Sequence, residues 1–314
     1  MSGRKIGIWL IGAWGQIGAA LAVVLAGLQA RTGATDGFVT EQPEFAGHNL
    51  IDWSRFVLGG HEIRKTSYAV EARSLLAQSK TITAERLAEL SPVLSDWDRN
   101  VRTGALLNSG PQIESRASTA ALKTRRERPG AAVQRIGVDL EEFRTVAGLE
   151  HLIVVNIASV DPPTEPSDSL SSRELLESLE HSEVSPLSTS VVYAVAAFQS
   201  GCSYLNWTQS TGPNLPALAE LARDKAALYM GREGRTDLVA IGLLRVAVAD
   251  ERLRAAHALL DVVRLCEREH RRGLSGLMTF LSCFFKHPVG DDPGDVAAQR
   301  ALLYDWAHQV ASTG

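Results

Sequence analysis

Three glycines, Gly12, Gly15 and Gly18, stand three residues apart between an apolar run at Ile6 to Ile11 and a second at Ile17 to Gln29. That spacing suits a backbone that must come close to a bulky anion. Gly12 permits a tight turn out of a strand. Gly15 removes a Cβ where the chain meets a pyrophosphate, and Gly18 lets the following helix pack against the strand. The N-terminus of that helix then offers free N–H groups and the positive end of its dipole to the phosphates. Gly12-Ala13-Trp14-Gly15-Gln16-Ile17-Gly18 is therefore a candidate dinucleotide-binding loop. Trp14 stands where the ideal G-x-G-x-x-G spacing has its second glycine. A carboxylate after the second strand would hold ribose hydroxyls, and Glu62 in Gly59-Gly60-His61-Glu62 is in that place. It lies further from the loop than the usual ~20 residues, so an insertion within residues 31–52 is assumed. The competing readings are a glycine turn that only packs, and a solvated loop acid.

Such a loop needs a strand before it, a helix after it and further strands beside it. Ile6 to Ile11 reads as a buried strand and Ile17 to Gln29 as a helix; Arg31 to Asn49 reads as loop and Arg55 to Gly59 as a second strand. Helical spacing of apolar residues runs from Ser67 to Asn100, with a helix start at Ser91-Pro92. Asn108 to Gly130 is polar and reads as a mobile connection. Ala132 to Val146 reads as a helix, and His151 to Ala158 as a strand too apolar for a surface position. After a proline-rich loop from Asp161 to Ser169, helices are expected at Leu170 to Leu179, Ser190 to Gln199 and Pro216 to Arg223. Short strands are expected at Tyr204 to Trp207 and Ala227 to Met230, and mostly helix beyond Leu238. Strands alternating with helices, without hairpin signals, predict an α/β fold: a Rossmann-type, doubly wound, mostly parallel sheet with helices on both faces. Ligands in such sheets sit at the carboxyl ends of the strands.

Composition narrows the function classes. The chain has 314 residues, 45% hydrophobic and 22% charged, with a net charge of −4, so no global basic field favours nucleic acid. The basic run Lys123 to Arg128 reads as a solvated loop. Cys202, Cys266 and Cys283 fit neither a zinc site nor a disulfide framework, and read as buried thiols in a reducing cytoplasm. Ile6 to Leu28 is nearly uncharged and long enough to span a bilayer, but its glycines and Gln16 divide it into strand, turn and helix. A soluble, cytoplasmic protein without a membrane partner is expected.

Four stretches carry a family likeness. Ile6 to Leu28 is similar to a strand, GxGGxxG-type loop and helix. Phe56-Val-Leu-Gly-Gly-His-Glu-Ile63 is similar to "FVVSGWDI", with Glu62 at the acid. Gln134 through Ser159, Tyr204-Leu-Asn206 and Pro216 through Ala222 follow in order, and Leu277 through Pro288 is close to "LSYxLKAP". In these stretches the chain resembles the myo-inositol-phosphate synthases over roughly two-thirds of its length. The resemblance implies NAD as cofactor, a phosphorylated sugar or related polyol as substrate, and redox-neutral oxidation, aldol closure and reduction. It implies cofactor contacts at Gly12, Trp14, Gly15, Gln16, Ile17, Gly18, Glu62, Ala158, Ser159 and Asn206, and active-site roles for Lys286 and Asp161. Structural alternatives stand beside these roles: a snorkelling surface lysine, a turn aspartate in Asp161-Pro162-Pro163, a loop cap at Asn206.

The departures from the family pattern matter equally. The family's lysine-bearing "GDDxKSGQTK" stretch is reduced to Gly231 through Thr236, and the central catalytic and oligomerisation domain that follows it is missing. An NAD-binding unit over residues 1–236, with a helical insertion at about 64–130, is thus expected to run into a helical segment over 237–314 that packs back on it. Any homo-oligomer would use a surface other than the family's. The expected function is an NAD-dependent isomerase or synthase of altered or weak activity; the alternative is a catalytically degenerate NAD-binding partner or sensor.

Overall fold

The computed structural model describes residues 3–78, 83–162, 170–185, 187–244, 250–290 and 294–311. Among these residues seven strands form one sheet in the order β3-β2-β1-β4-β5-β6-β7, and every pair is parallel. They are β1 (Ile6–Ile11), β2 (Phe56–Glu62), β3 (Val101–Thr103), β4 (His151–Asn156), β5 (Ser203–Asn206), β6 (Leu228–Gly231) and β7 (Gly276–Leu277). β1 is central: Ile6 pairs with Phe56 on one side and with His151 on the other. The chain direction across the sheet reverses between β1 and β4, and that switch point opens a crevice at the strands' carboxyl ends.

Side chains alternate between two cores, as a parallel sheet buried on both faces requires. Ile8, Leu10, Ile153 and Val155 enter one. Trp9, Ile11, Leu152 and Val154 enter the other. The first face is covered by α1 (Gln16–Gln29), α2 (Tyr68–Gln78) and α3 (Ala84–Asp98), together with the C-terminal helices. Two short helices, α4 (Pro111–Glu114) and α5 (Thr119–Thr124), lead into α6 (Pro129–Ala147), α7 (Ser172–His181), α8 (Thr189–Gln199) and α9 (Pro216–Asp224), which cover the second face. α10 (Glu251–Arg271) returns to the first face beside α1, and α11 (Val296–Ala311) closes over the 3-10 turns Pro43–His48 and Thr279–Phe284. The C-terminal segment therefore packs back on the sheet as expected. The near-uncharged N-terminal run divides into β1, loop and α1, and among the described residues no helix is long and apolar enough to cross a membrane.

Several element expectations are corrected. Ser91-Pro92 starts no helix: α3 begins after Thr83, whose side chain accepts from the Arg86 N–H, and runs through Pro92. Proline forfeits one helical hydrogen bond, yet Leu87, Leu90, Leu94 and Trp97 bury a continuous apolar face that holds the helix on both sides of it. Asn108 to Gly130 contains α4 and α5, and is tied to β2 and β3 by Ser118 N–H to Ile63 O (2.7 Å) and Thr124 Oγ1 to Gly104 O (3.2 Å). The loop at Arg31 to Asn49 contains 3-10 turns at Val39–Glu41 and Pro43–His48. The buried Asp261 of α10 fixes the first turn by accepting from the Val39 and Thr40 N–H groups and from Thr40 Oγ1. Beyond Leu238 the chain is not uniformly helical, because Gly273 and Gly276 adopt positive φ and lead the chain into β7. Residues 163–169 and 245–249, in the proline-rich loop and the C-terminal helical stretch, lie outside the described residues. All three cysteines are buried and unpaired.

Candidate functional site

A cavity of about 670 Å³ opens at the carboxyl ends of β1, β2 and β4. Its floor is the glycine loop. Gly12 has φ +86°, a conformation that L side chains rarely adopt, and a Cβ there would come within 3.0 Å of Ala158 Cα. A Cβ on Gly18 would collide with the carbonyl oxygen of Ala13, and one on Gly15 would lie 2.9 Å from the Gly12 carbonyl oxygen. Gly15 is the N-cap of α1, where no side chain caps the helix and no acid stands in its first turn. The loop thus keeps a backbone cradle open in front of uncapped N–H groups, the arrangement a pyrophosphate needs.

Gly12, Gly15, Gln16, Ile17, Glu62, Ala158, Ser159 and Asp161 all line this cavity. Trp14 does not: its N–H donates to Glu62 Oε2 (2.9 Å) and its indole turns away to Asp98 Oδ1 (2.7 Å). Gly18 supports the floor from within α1. Asn206 is fully buried beneath the site; its Nδ2 donates to Ser210 O, and its Oδ1 accepts from Asn156 Nδ2 and from Thr208 Oγ1. It shapes the ends of β4 and β5 without facing the cavity. Lys286 is also elsewhere. Its Nζ pairs with Glu233 Oε1 at 3.0 Å, just past β6, with the lysine side chain 46% exposed. β6 lies two strands beyond β4, about 10 Å away at the usual strand spacing. The Lys286 ammonium holds the Glu233 carboxyl below its ordinary range.

Asp161 keeps its place on the wall but is already employed. One carboxylate oxygen accepts the Ser190 N–H at 2.9 Å, in the first turn of the buried helix α8. Burial raises its pKa against the lowering effect of hydrogen bonds from Ser190, Ser188 and Ser210. The carboxylate thus stands where an anion would meet the α8 dipole.

The sequence reading missed the walls built by His61, Arg64, Glu71, Thr189 and Tyr193 and by the stretch Gly104 to Arg116. That stretch follows the three-residue β3 and reaches Tyr193, whose hydroxyl accepts the Ala105 N–H at 3.1 Å. His61 lines the cavity with neither ring nitrogen free. Trp9 Nε1 donates to its Nδ1 (3.2 Å), so its proton sits on Nε2 and is given to Asp139 Oδ2 (2.9 Å). Both nitrogens are engaged, and burial depresses the pKa of the ring. The lining cations are Arg64, paired with Glu62 and Glu71, and Arg116, which among the described residues has no carboxylate partner. Among the described residues no lysine lines the cavity.

Comparison with known proteins agrees with this frame. The inositol-3-phosphate synthase of Drosophila melanogaster is 33% identical over 116 residues, which cover 34% of this chain and 20% of that protein. The chain thus matches about a fifth of that relative's length. The solved inositol-3-phosphate synthase of Caenorhabditis elegans superposes with a TM-score of 0.74 at 16% identity, over 98% of this chain and 86% of the other. A myo-inositol-1-phosphate synthase-related protein of Thermotoga maritima gives a TM-score of 0.67 at 14% identity, over 97% and 99% of the two chains. These structures share the fold. The sequence model of the NAD-binding domain of one family spans residues 6–308, nearly the whole chain, and by that match the protein belongs to the myo-inositol-1-phosphate synthase family.

Proposed function

We propose that the cavity holds NAD, with its pyrophosphate on the Gly12–Gly18 loop, and that the protein acts on a phosphorylated sugar or related polyol with weak or altered activity. The observation that carries the NAD reading is the uncapped α1 N-terminus behind a loop that a Cβ at Gly12 or Gly18 would fill. Bound NAD would supply a hydride acceptor and donor. The chain's own residues would do the rest. Gln16 and Ile17 bind the anion through backbone N–H groups, while the Gly15 N–H is given to the Gly12 carbonyl (2.9 Å); Ala158 and Ser159 would contact the cofactor from the β4 side of the cavity, and Arg116 offers a charge to a substrate phosphate. Asp161 orients a hydroxyl only if it yields its bond to Ser190.

The family's chemistry calls for cations that stabilise developing negative charge and for a base of near-neutral pKa, tasks suited to buried lysines. Among the described residues none lines this cavity, and Lys286 pairs with Glu233 outside it. Loss of even one such preorganised electrostatic contact lowers kcat by about 100-fold or more. The same observation supports a second reading, an NAD-binding partner or sensor without catalysis. NADH titration followed by energy transfer from tryptophan tests the cofactor site, and saturable binding is expected. Glucose 6-phosphate turnover with NAD tests the chemistry: a rate at least 100-fold below ordinary enzyme values, roughly 10 s⁻¹, is expected. An ordinary rate would refute the altered-activity reading, and no detectable turnover of any sugar phosphate would favour the sensor.

A further inference from the structure

Glu62 has the position of an acid that holds ribose hydroxyls, yet its carboxylate is already saturated. Oε1 accepts from the backbone N–H groups of Ile63 (2.9 Å) and Arg64 (3.1 Å) and from Arg64 Nε (3.3 Å). Oε2 accepts from the Trp14 N–H (2.9 Å) and from Arg64 Nη2 (3.2 Å). A carboxylate offers about four lone-pair sites, so these donors leave no room for a hydroxyl. The neighbouring charge on the cavity wall is Arg64, whose side chain is 30% exposed. A guanidinium beside the second strand is the group that accommodates a 2′-phosphate in dinucleotide sites. Here it is neutralised twice. Nη2 faces Glu62 and the Trp14 carbonyl, and Nη1 donates to Glu71 Oε1 at 3.2 Å. Glu71, in the first turn of α2, is held in turn by Thr66 Oγ1 at 3.0 Å and lines the same cavity.

Building on the reading of this cavity as the cofactor site, we propose that Glu71 sets the preference for NAD over NADP. Two carboxylates against one guanidinium leave the cluster with net negative charge. A ribose bearing a free 2′-hydroxyl meets no penalty there. A 2′-phosphate would bring a further charge of about −1.5 to −2 and would find four of the five N–H donors of Arg64 taken. Glu71 occupies the guanidinium and repels the phosphate at once.

The test compares the dissociation constants of NADH and NADPH for the wild type, Glu71→Gln and the double variant Glu71→Gln/Arg64→Leu. Glutamine keeps an acceptor for Thr66 and Arg64 and removes only the charge. The wild type is expected to prefer NADH, and Glu71→Gln to narrow that preference about tenfold by improving NADPH binding. Arg64→Leu in that background should take the gain away. Raising salt from roughly 0.05 to 0.5 M should narrow the preference of the wild type more than that of Glu71→Gln, because screening replaces what the substitution removed. This comparison decides the matter if the double variant fails to fold. A ratio unchanged by Glu71→Gln, a gain that survives Arg64→Leu, or equal salt dependence overturns the role of Glu71 while leaving the NAD site standing. A folded wild type that binds neither dinucleotide overturns the cavity reading, and this inference with it.

Discussion

Replacing Gly15 with aspartate should separate binding from folding. Gly15 has φ −62° and ψ 167°, a backbone conformation open to any residue. A Cβ there meets only the Gly12 carbonyl group, with the oxygen at 2.9 Å and the carbon at 4.0 Å. Because α1 has no side-chain cap, an aspartate at its N-cap would satisfy N–H groups at the helix start. Such a cap is worth about 1 kcal/mol, set against a contact that makes the Gly12 carbonyl shift; Gly15→Ala, which has the contact without the cap, reads that cost separately. The same carboxylate would stand where the pyrophosphate must lie. With an effective dielectric near 20 and a separation of about 5 Å, one pair of like charges repels by about 3 kcal/mol. That corresponds to a rise in Kd of roughly 100-fold. The assay is NADH titration by energy transfer from tryptophan, with Tm measured on the same samples. Gly15→Ala adds the Cβ without the charge, so the difference between the two variants isolates the electrostatic part. If Gly15→Asp keeps the wild-type Tm and the wild-type Kd, the loop does not hold a pyrophosphate and the argument fails.

Gly18→Ala should behave in the opposite way, since its Cβ collides with the backbone oxygen of Ala13; a loss of about 1–3 kcal/mol in urea unfolding is expected, and an unchanged midpoint would contradict the packing. Asp261→Ala removes the acceptor for two buried N–H groups and the Thr40 hydroxyl; a loss of about 2–5 kcal/mol is expected from orphaned donors at about 1–3 kcal/mol each, and a cost below 1 kcal/mol would show that the turn relaxes. His151 and His270 stack at 3.4 Å at the amino end of β4, away from the cavity, and burial depresses both pKa values, with the charges of His270, Arg144 and Arg4 adding for His151 and those of Arg4 and Arg144 for His270. The folded state therefore binds fewer protons than the unfolded one, so the contribution is present above about pH 6.5 and is lost as pH falls through the depressed folded pKa values. Asp261, pushed up to about 7 by burial, acts in the opposite sense: its contribution is present below the unfolded aspartate pKa and is lost as pH rises toward 7. The diagnostic is the difference between wild type and His270→Gln, whose Tm should fall less steeply from pH 7 to 5; parallel profiles would refute it. Lys286→Ala should leave the NADH Kd unchanged and alter stability by less than about 1 kcal/mol, as for other exposed ion pairs; a weakened Kd would bring Lys286 into the site.

The elements legible in the sequence are those whose own composition demands burial. β4, at His151–Asn156, is buried along its whole length and reads as a continuous apolar run. β1 and α1 are punctuated by the glycines between them. β3 escaped because Val101–Thr103 is three residues long and largely exposed, so neither alternation nor an apolar run marks it. With β3 unseen, residues from Asn108 on read as a polar connection to Gly130, although Gly104 to Arg116 supplies a wall of the cavity.

Chemistry was less legible than position, because position is set by nearby residues and chemistry by distant pairings. Glu62 follows from its place after β2, but what it can do is decided by Trp14, 48 residues earlier, and by Arg64 beside it. Asp161 follows from its place after β4, but its carboxylate is claimed by Ser190, 29 residues later. Lys286 follows from its place after a run of apolar residues, but a short antiparallel bridge between Gly234 and Phe285 sets it against Glu233. Glu62 keeps its residue type with every acceptor site taken, and Asp161 and Lys286 each already have a partner within the protein. A side chain whose hydrogen-bonding capacity is spent within the protein must first lose those bonds to act on a ligand, at about 0.5–1.5 kcal/mol each for neutral pairs and 1.5–3 kcal/mol for charged ones. For Glu62, with Arg64 among its donors, the sum exceeds what one ribose hydroxyl returns.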